Sequence, residues 1–124
     1  MLFRKLLILC FLIANQSIAQ QKAELITFKQ LQEMVNVKSD KTYIVNFWAT
    51  WCGPCLAELP DFQKYYAKNV DKNVELIMVS FDFPNEIKRV NKFIEKKQLK
   101  PKVYLIGDQD QNEFINKVSE KWNG

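Results

Sequence analysis

Three short runs in this chain, residues 42–49 (TYIVNFWA), 74–81 (VELIMVSF) and 103–106 (VYLI), are β-branched, aromatic and almost unbroken in apolar character. A strand with one wet face alternates apolar with polar residues, whereas a strand covered on both faces does not need to. The run at 42–49 therefore predicts a central strand buried on both sides. The stretches between these runs have helical period instead. Residues 85–98 place Ile87, Val90 and Ile94 on one face, with Lys88, Arg89, Lys92, Glu95 and Lys96 around the rest. A further helix is expected from the cysteines near residue 52 to about residue 69. Ahead of them, residues 23–28 (AELITF) predict a first strand and Leu31, Met34 and Val35 a short helix. At the other end, Asp110 and Glu113 have the spacing of a capping box for a helix over 110–122, with Phe114, Ile115, Val118 and Trp122 as its apolar stripe. Strand and helix in alternation imply an α/β fold with a parallel-core sheet flanked by helices.

The first nineteen residues stand apart from that pattern. Arg4 and Lys5 precede an apolar run from Leu6 to Ala14, and Ser17-Ile18-Ala19 presents small residues for cleavage, the make-up of a secretory signal peptide. Leu9 before Cys10 argues against a lipidated cysteine there. The expected product is an exported chain, periplasmic or secreted, with one domain over residues 20–124 and no membrane insertion once the signal is removed. Removal of Arg4 and Lys5 from the 18 basic side chains leaves 16 against 14 acidic ones. Such a balance, with no aromatic stacking platform among the lysines, argues against nucleic acid as a partner.

Two absences narrow the chemistry. The chain has no histidine, which removes Ser-His, Cys-His and His-metal sites together. With Cys10 gone, only Cys52 and Cys55 remain, too few for an ordinary structural zinc site.

Those two cysteines lie in residues 46–60, NFWATWCGPCLAELP, where a strand pattern gives way to a helix pattern. At a helix N-terminus, unpaired backbone N–H groups and the positive end of the helix dipole favour a thiolate. A free thiol pKa of about 8.5 falls to roughly 3.5–7.5 in such settings, and the thiolate is the attacking species. Cys52 is thus expected to be the nucleophile, and Cys55, one turn further in, the resolving thiol. Gly53 allows a tight turn, and Pro54 suits a first helical turn where its missing N–H is not needed. Trp48 and Trp51 are expected to crowd the site with apolar surface. The other reading is a structural disulfide, but a bridge closing so short a loop removes little unfolded-state entropy.

The stretch FWATWCGPC resembles the active site of the thioredoxin superfamily, and NFWATWCGPCLAELP is similar to the exported thiol-disulfide oxidoreductases of the TlpA and ResA type. Pro60 stands five residues after Cys55, where thioredoxins kink this helix. The resemblance spans roughly residues 40–122. It implies a thioredoxin-like fold and a dithiol/disulfide site that reduces or isomerises disulfides in other proteins. The implied partners are protein disulfide or dithiol substrates and an upstream thiol electron donor, with no metal or organic cofactor. Asn46 stands where thioredoxin itself has a buried aspartate. Glu58 matches an acidic residue often found in the TlpA and ResA type, and is the candidate for assisting proton transfer at Cys55 or contacting partners.

In this family a cis-proline loop, a hairpin and a last helix would follow shortly after Trp122, and Pro101 comes too early to serve as that proline. The resemblance thus predicts a domain incomplete at its C-terminal side, whose strand at residues 46–49 lacks one neighbour, with marginal stability as the consequence. An inactive truncated fragment is one alternative reading. Another is a non-enzymatic Cu(I) or thiol-binding module, in which two thiolates serve as soft ligands. The lysines at 96, 97, 100 and 102 are expected to be a solvated helix end, and Met34, Met78, Phe81, Phe83 and Phe93 to be core packing.

Overall fold

The computed structural model describes residues 21–70, 72–107 and 116. The signal sequence expected over residues 1–19 lies outside the described residues. So does the helix expected over 110–122, apart from Asn116, which is helical and exposed. Four strands, β1 (Glu24–Ile26), β2 (Thr42–Trp48), β3 (Val74–Ser80) and β4 (Lys102–Ile106), form a sheet in the order β1-β4-β3-β2. Every pairing in it is parallel. Three helices connect the strands: α1 (Phe28–Val35), α2 (Gly53–Asn69) and α3 (Ile87–Lys97), the last preceded by a 3-10 turn, Pro84–Glu86.

Side-chain alternation along β3 divides the core in two. Ile77 and Val79 face α1, where they join Ile26, Phe28, Leu31, Tyr104 and Ile106. Met78 joins Trp48, Leu59, Val90, Ile94, Val103 and Leu105 beneath α2 and α3. Such two-sided coverage is why the β3 and β4 sequences tolerate unbroken apolar runs.

The β2 run has a different cause. It pairs residue for residue with β3, from Thr42 opposite Val74 to Trp48 opposite Ser80, but among the described residues it has no strand on its other side. Only Asn46 and Trp48 within it are buried. The expectation of a central strand buried on both faces is therefore corrected: among the described residues β2 has a strand neighbour on one side only and is half covered. Its apolar letters do not reveal this, because strand order is decided by contacts far away in sequence.

The helix ends are held by side chains. Thr27 caps α1 in a reciprocal box with Gln30: the Gln30 N–H donates to Thr27 Oγ1 at 3.2 Å, and the Thr27 N–H donates to Gln30 Oε1 at 2.8 Å. At the far end of α3, Gln98 turns left-handed, φ 49° and ψ 46°, and the Leu99 N–H returns to the Ile94 carbonyl at 3.1 Å. Gln63 of α2 reaches this end. Its Nε2 donates to the carbonyls of Lys97 and Gln98, and its Oε1 accepts from the Lys100 N–H at 2.9 Å. The two helices over one sheet face are thereby tied together through backbone groups that α3 leaves unpaired.

Met34 and Met78 pack as expected, Met78 fully buried. Phe93 also packs, its ring 5.2 Å from that of Trp48. Phe83 does not: it is 54% exposed at the entry to the 3-10 turn, since Ile87, Val90 and Ile94 already fill the inner face that follows. Of the four lysines at this end of the sheet, Lys96, Lys97 and Lys100 are exposed, and Lys102 forms an ion pair with Glu24.

Candidate active site

The chain leaves β2 at Trp48, turns through Ala49, Thr50 and Trp51, and enters α2 with Cys52 as its N-cap. The turn is closed by the Cys52 N–H, which donates to the Ala49 carbonyl at 3.1 Å. The helix is opened by the Leu56 N–H, which donates to the Cys52 carbonyl at 3.0 Å. Between those bonds stand Gly53, Pro54 and Cys55, whose backbone positions have no preceding turn to bond to. Pro54 has no N–H, so Gly53 and Cys55 supply the donors at this end. No acidic side chain occupies the first turn, and Cys52 makes no side-chain capping bond. The positive end of α2 is therefore not neutralised by a carboxylate of its own first turn.

Cys52 and Cys55 are joined by a disulfide, with their Cα atoms 5.3 Å apart. Both are partly buried. Cys55 packs with Leu56 against the core under α2, so the inner half of the pair is the one that faces the protein. Around the pair Gly53 and Pro54 are exposed, and Trp51 is 61% exposed. Trp48 contributes nothing to this surface: at 1% exposure its ring belongs to the core beside Phe93, which corrects the expectation that both tryptophans crowd the site.

Glu58 is exposed, one turn beyond Cys55, and lines a shallow groove with Ile44, Asp61, Phe62 and Tyr65. Pro60 is also exposed and sits inside α2, where it removes the N–H that would bond the Leu56 carbonyl. Asn46 is buried on β2, in register with Met78 of β3. Among the described residues no group of three or more His, Cys, Asp or Glu side chains is placed to hold a metal ion. No helix among them is long and apolar enough to cross a membrane.

One participant has no counterpart in the sequence reading. Asp82, just past β3, is 1% exposed and is bonded to the turn before Cys52. Its Oδ2 accepts from the Thr50 N–H at 2.9 Å and from Ser80 Oγ at 2.7 Å. Its Oδ1 accepts from Thr50 Oγ1 and from Arg89 Nη2, the latter at 2.9 Å. Burial by itself pushes this carboxyl up, but the Thr50, Arg89 and Ser80 hydrogen bonds outweigh it and leave the group below the usual aspartate range. Arg89 is held in turn by Glu86, 2.8 Å from its Nη1. The available signal in the sequence was a single acid closing an otherwise apolar run, VSFD.

The sequence model of the AhpC/TSA family matches residues 15–117. The chain belongs to the AhpC/TSA family. Like this member, a solved thioredoxin-like protein from Porphyromonas gingivalis shares the fold, with a TM-score of 0.51 and 34% identity over 61% of this chain and 50% of that one. The AhpC/TSA chain is also 44% identical over 59 residues to the thiol-disulfide oxidoreductase ResA of Oceanobacillus iheyensis, covering 48% of this chain and 30% of the relative. With a thioredoxin of Mycoplasma genitalium it shares 39% over 64 residues, 52% of this chain and 59% of the relative. The alignments thus span between 30% and 59% of these relatives' own length. The α/β architecture with its parallel sheet is a thioredoxin-like fold.

Proposed function

We propose that this protein is an exported thiol-disulfide oxidoreductase that reduces or isomerises disulfides in other proteins. The observation that carries the reading is the placement of the Cys52–Cys55 disulfide across the first turn of α2, with Cys52 as N-cap. In the reduced form Cys52 is the thiolate, favoured by the helix N-terminus. It attacks one sulfur of a partner disulfide; a mixed disulfide forms, and the partner's other sulfur leaves as a thiolate that takes a proton from solvent. Cys55 then gives up its proton and attacks Cys52 Sγ. The mixed disulfide breaks, the partner leaves with two thiols, and the protein holds the Cys52–Cys55 disulfide. Two electrons have passed to the partner, and an upstream dithiol donor must return them. Glu58 is the group proposed to take the Cys55 proton, being on α2 at the i+3 position.

The Gly-Pro between the cysteines, shared in kind with thioredoxin, favours reduction or isomerisation over primary oxidation. Export rests on the charged, apolar and small-residue segments of residues 1–19. The testing experiment is incubation of the reduced protein with a disulfide-bonded substrate protein. Wild type should reduce it, Cys52→Ser should not, and Cys55→Ser should accumulate a covalent mixed disulfide. Equal loss in both variants without any trapped adduct, or stoichiometric Cu(I) binding without disulfide exchange, would overturn the reading. The mass of the exported product should show the leader, and Cys10 with it, removed.

A further inference from the structure

A carboxylate with a fully buried side chain is costly unless its oxygens are satisfied. Asp82 meets that demand with four donors, and their distribution is informative. Ser80 ends the strand just before Asp82 and Arg89 lies in the first turn of the helix that follows, so both bonds are local. Thr50 is 32 residues earlier, and it gives Asp82 both its backbone N–H and its hydroxyl. Thr50 belongs to the turn that delivers Cys52: one residue, Trp51, separates them, and the Cys52 N–H closes back on Ala49. Phe81, next to Asp82, donates its N–H to the Trp48 carbonyl at 2.8 Å, so the end of β2 is fastened to the same segment.

We propose that Asp82 is a positioning residue for Cys52: by gripping both donors of Thr50, with Arg89 bracing the carboxylate from the solvent side, it fixes where the turn sets the nucleophile against the N-terminus of α2. This inference rests on the disulfide-exchange reading of Cys52. Its physical content is that the field of a helix end decays within one turn, so the sulfur benefits only while the turn holds it close to the Gly53 and Cys55 N–H groups. Tying β3 to β2 would be a merely structural role, and it would leave the chemistry of the thiol untouched in any variant that folds.

The test uses the full chain with Cys10→Ser and Cys55→Ser, so that Cys52 is the one thiol, and measures its alkylation by iodoacetamide against pH. Thr50→Val, which deletes the hydroxyl donor, should move the midpoint of the profile upward and slow alkylation at pH 6 roughly 3–10-fold, through a smaller thiolate fraction. The rate at pH values where the thiol is fully ionised should be unchanged. Thr50→Ser should restore the wild-type profile, and Arg89→Gln, on the exposed side, should shift it in the same direction by less. Folded Thr50→Val and Arg89→Gln proteins with the wild-type profile would overturn the inference. Disulfide reduction by the two-cysteine protein separates the two claims. Exchange with unshifted profiles removes only the role of Asp82, whereas shifted profiles without exchange remove only the oxidoreductase reading.

Discussion

Thr50 and Asp82 face each other with both their polar ends engaged, the Thr50 N–H on Oδ2 at 2.9 Å and the Thr50 hydroxyl on Oδ1. That contact joins the turn leaving β2 to the turn leaving β3, two strands that are already paired along their whole length. The strand pairing fixes the height of the two strand ends, and the carboxylate fixes what comes after them. The turn that delivers Cys52 is therefore held from Asp82 as well as by the strand pairing.

The first prediction follows from the ionisation of Asp82. Its folded-state pKa is depressed, so it contributes stability that is complete above the unfolded aspartate value of about 3.9 and is lost as pH falls through the lower folded value. Thermal unfolding followed from pH 7 downward should show a drop in Tm setting in below about pH 4. In Asp82→Asn the midpoint should be lower at neutral pH and the acid drop smaller, because the replacement has no proton to take up. Parallel curves for the two proteins would show that folding does not lower the pKa of this carboxyl.

A second prediction concerns the end of α3. Gln98 is exposed and left-handed, a conformation that costs a residue with a Cβ about 1 kcal/mol and glycine almost nothing. Its side chain makes no bond to another described residue; the Gln63 contacts all run to backbone groups and survive substitution. Gln98→Gly should therefore stabilise the protein by up to about 1 kcal/mol in urea unfolding, less what the added freedom of the unfolded chain takes away. Destabilisation would mean that the left-handed turn costs less here than the entropy it saves.

The sequence made the dithiol legible because everything it needs is local: two thiols at i and i+3, a proline allowed in a first turn, and a helix pattern after a strand pattern. It made the parallel α/β class legible for a similar reason, through period and alternation. What it did not disclose was long-range. Unbroken apolar character in β2 was indistinguishable from that in β3, although among the described residues β2 has a strand on one side and β3 on both, since each letter reports its own burial preference and not its neighbours in space. Arg89 has the letters of a solvated helix face and is half exposed, yet one of its nitrogens serves a buried acid 2.9 Å away. Asp82 itself was one acid after six apolar or small residues, and only the partner 32 positions earlier gives it a role.

A third prediction tests how far the α1 capping box matters to the sheet. Phe28 and Leu31, in the first turn of α1, are both buried against Ile77, Val79 and Ile106. Thr27→Ala deletes the acceptor for the Gln30 N–H, and the expected loss is about 1 kcal/mol in denaturant unfolding. Thr27→Ser and Thr27→Asp should each recover most of it. Disulfide reduction should be unaffected in all three, because α1 covers the sheet face opposite α2.

The last prediction divides the work between Cys52 and Glu58. Cys55 lies against the core and must lose a proton before it can resolve a mixed disulfide, whereas Cys52 sits at the open end of α2. A base that serves Cys55 alone should leave the first step untouched and slow the second. Glu58 is exposed on α2 one turn beyond Cys55, the position from which the proposed base would exchange protons with solvent. Glu58→Gln should leave alkylation of Cys52 unchanged and lengthen the lifetime of the mixed disulfide severalfold at neutral pH. The deficit should shrink as rising pH lets hydroxide take the Cys55 proton directly. A mixed-disulfide lifetime equal to that of wild type at every pH would leave Glu58 as a solvated side chain on the rim of the groove it shares with Ile44 and Tyr65. Resolution would then rest on Cys55 and water alone.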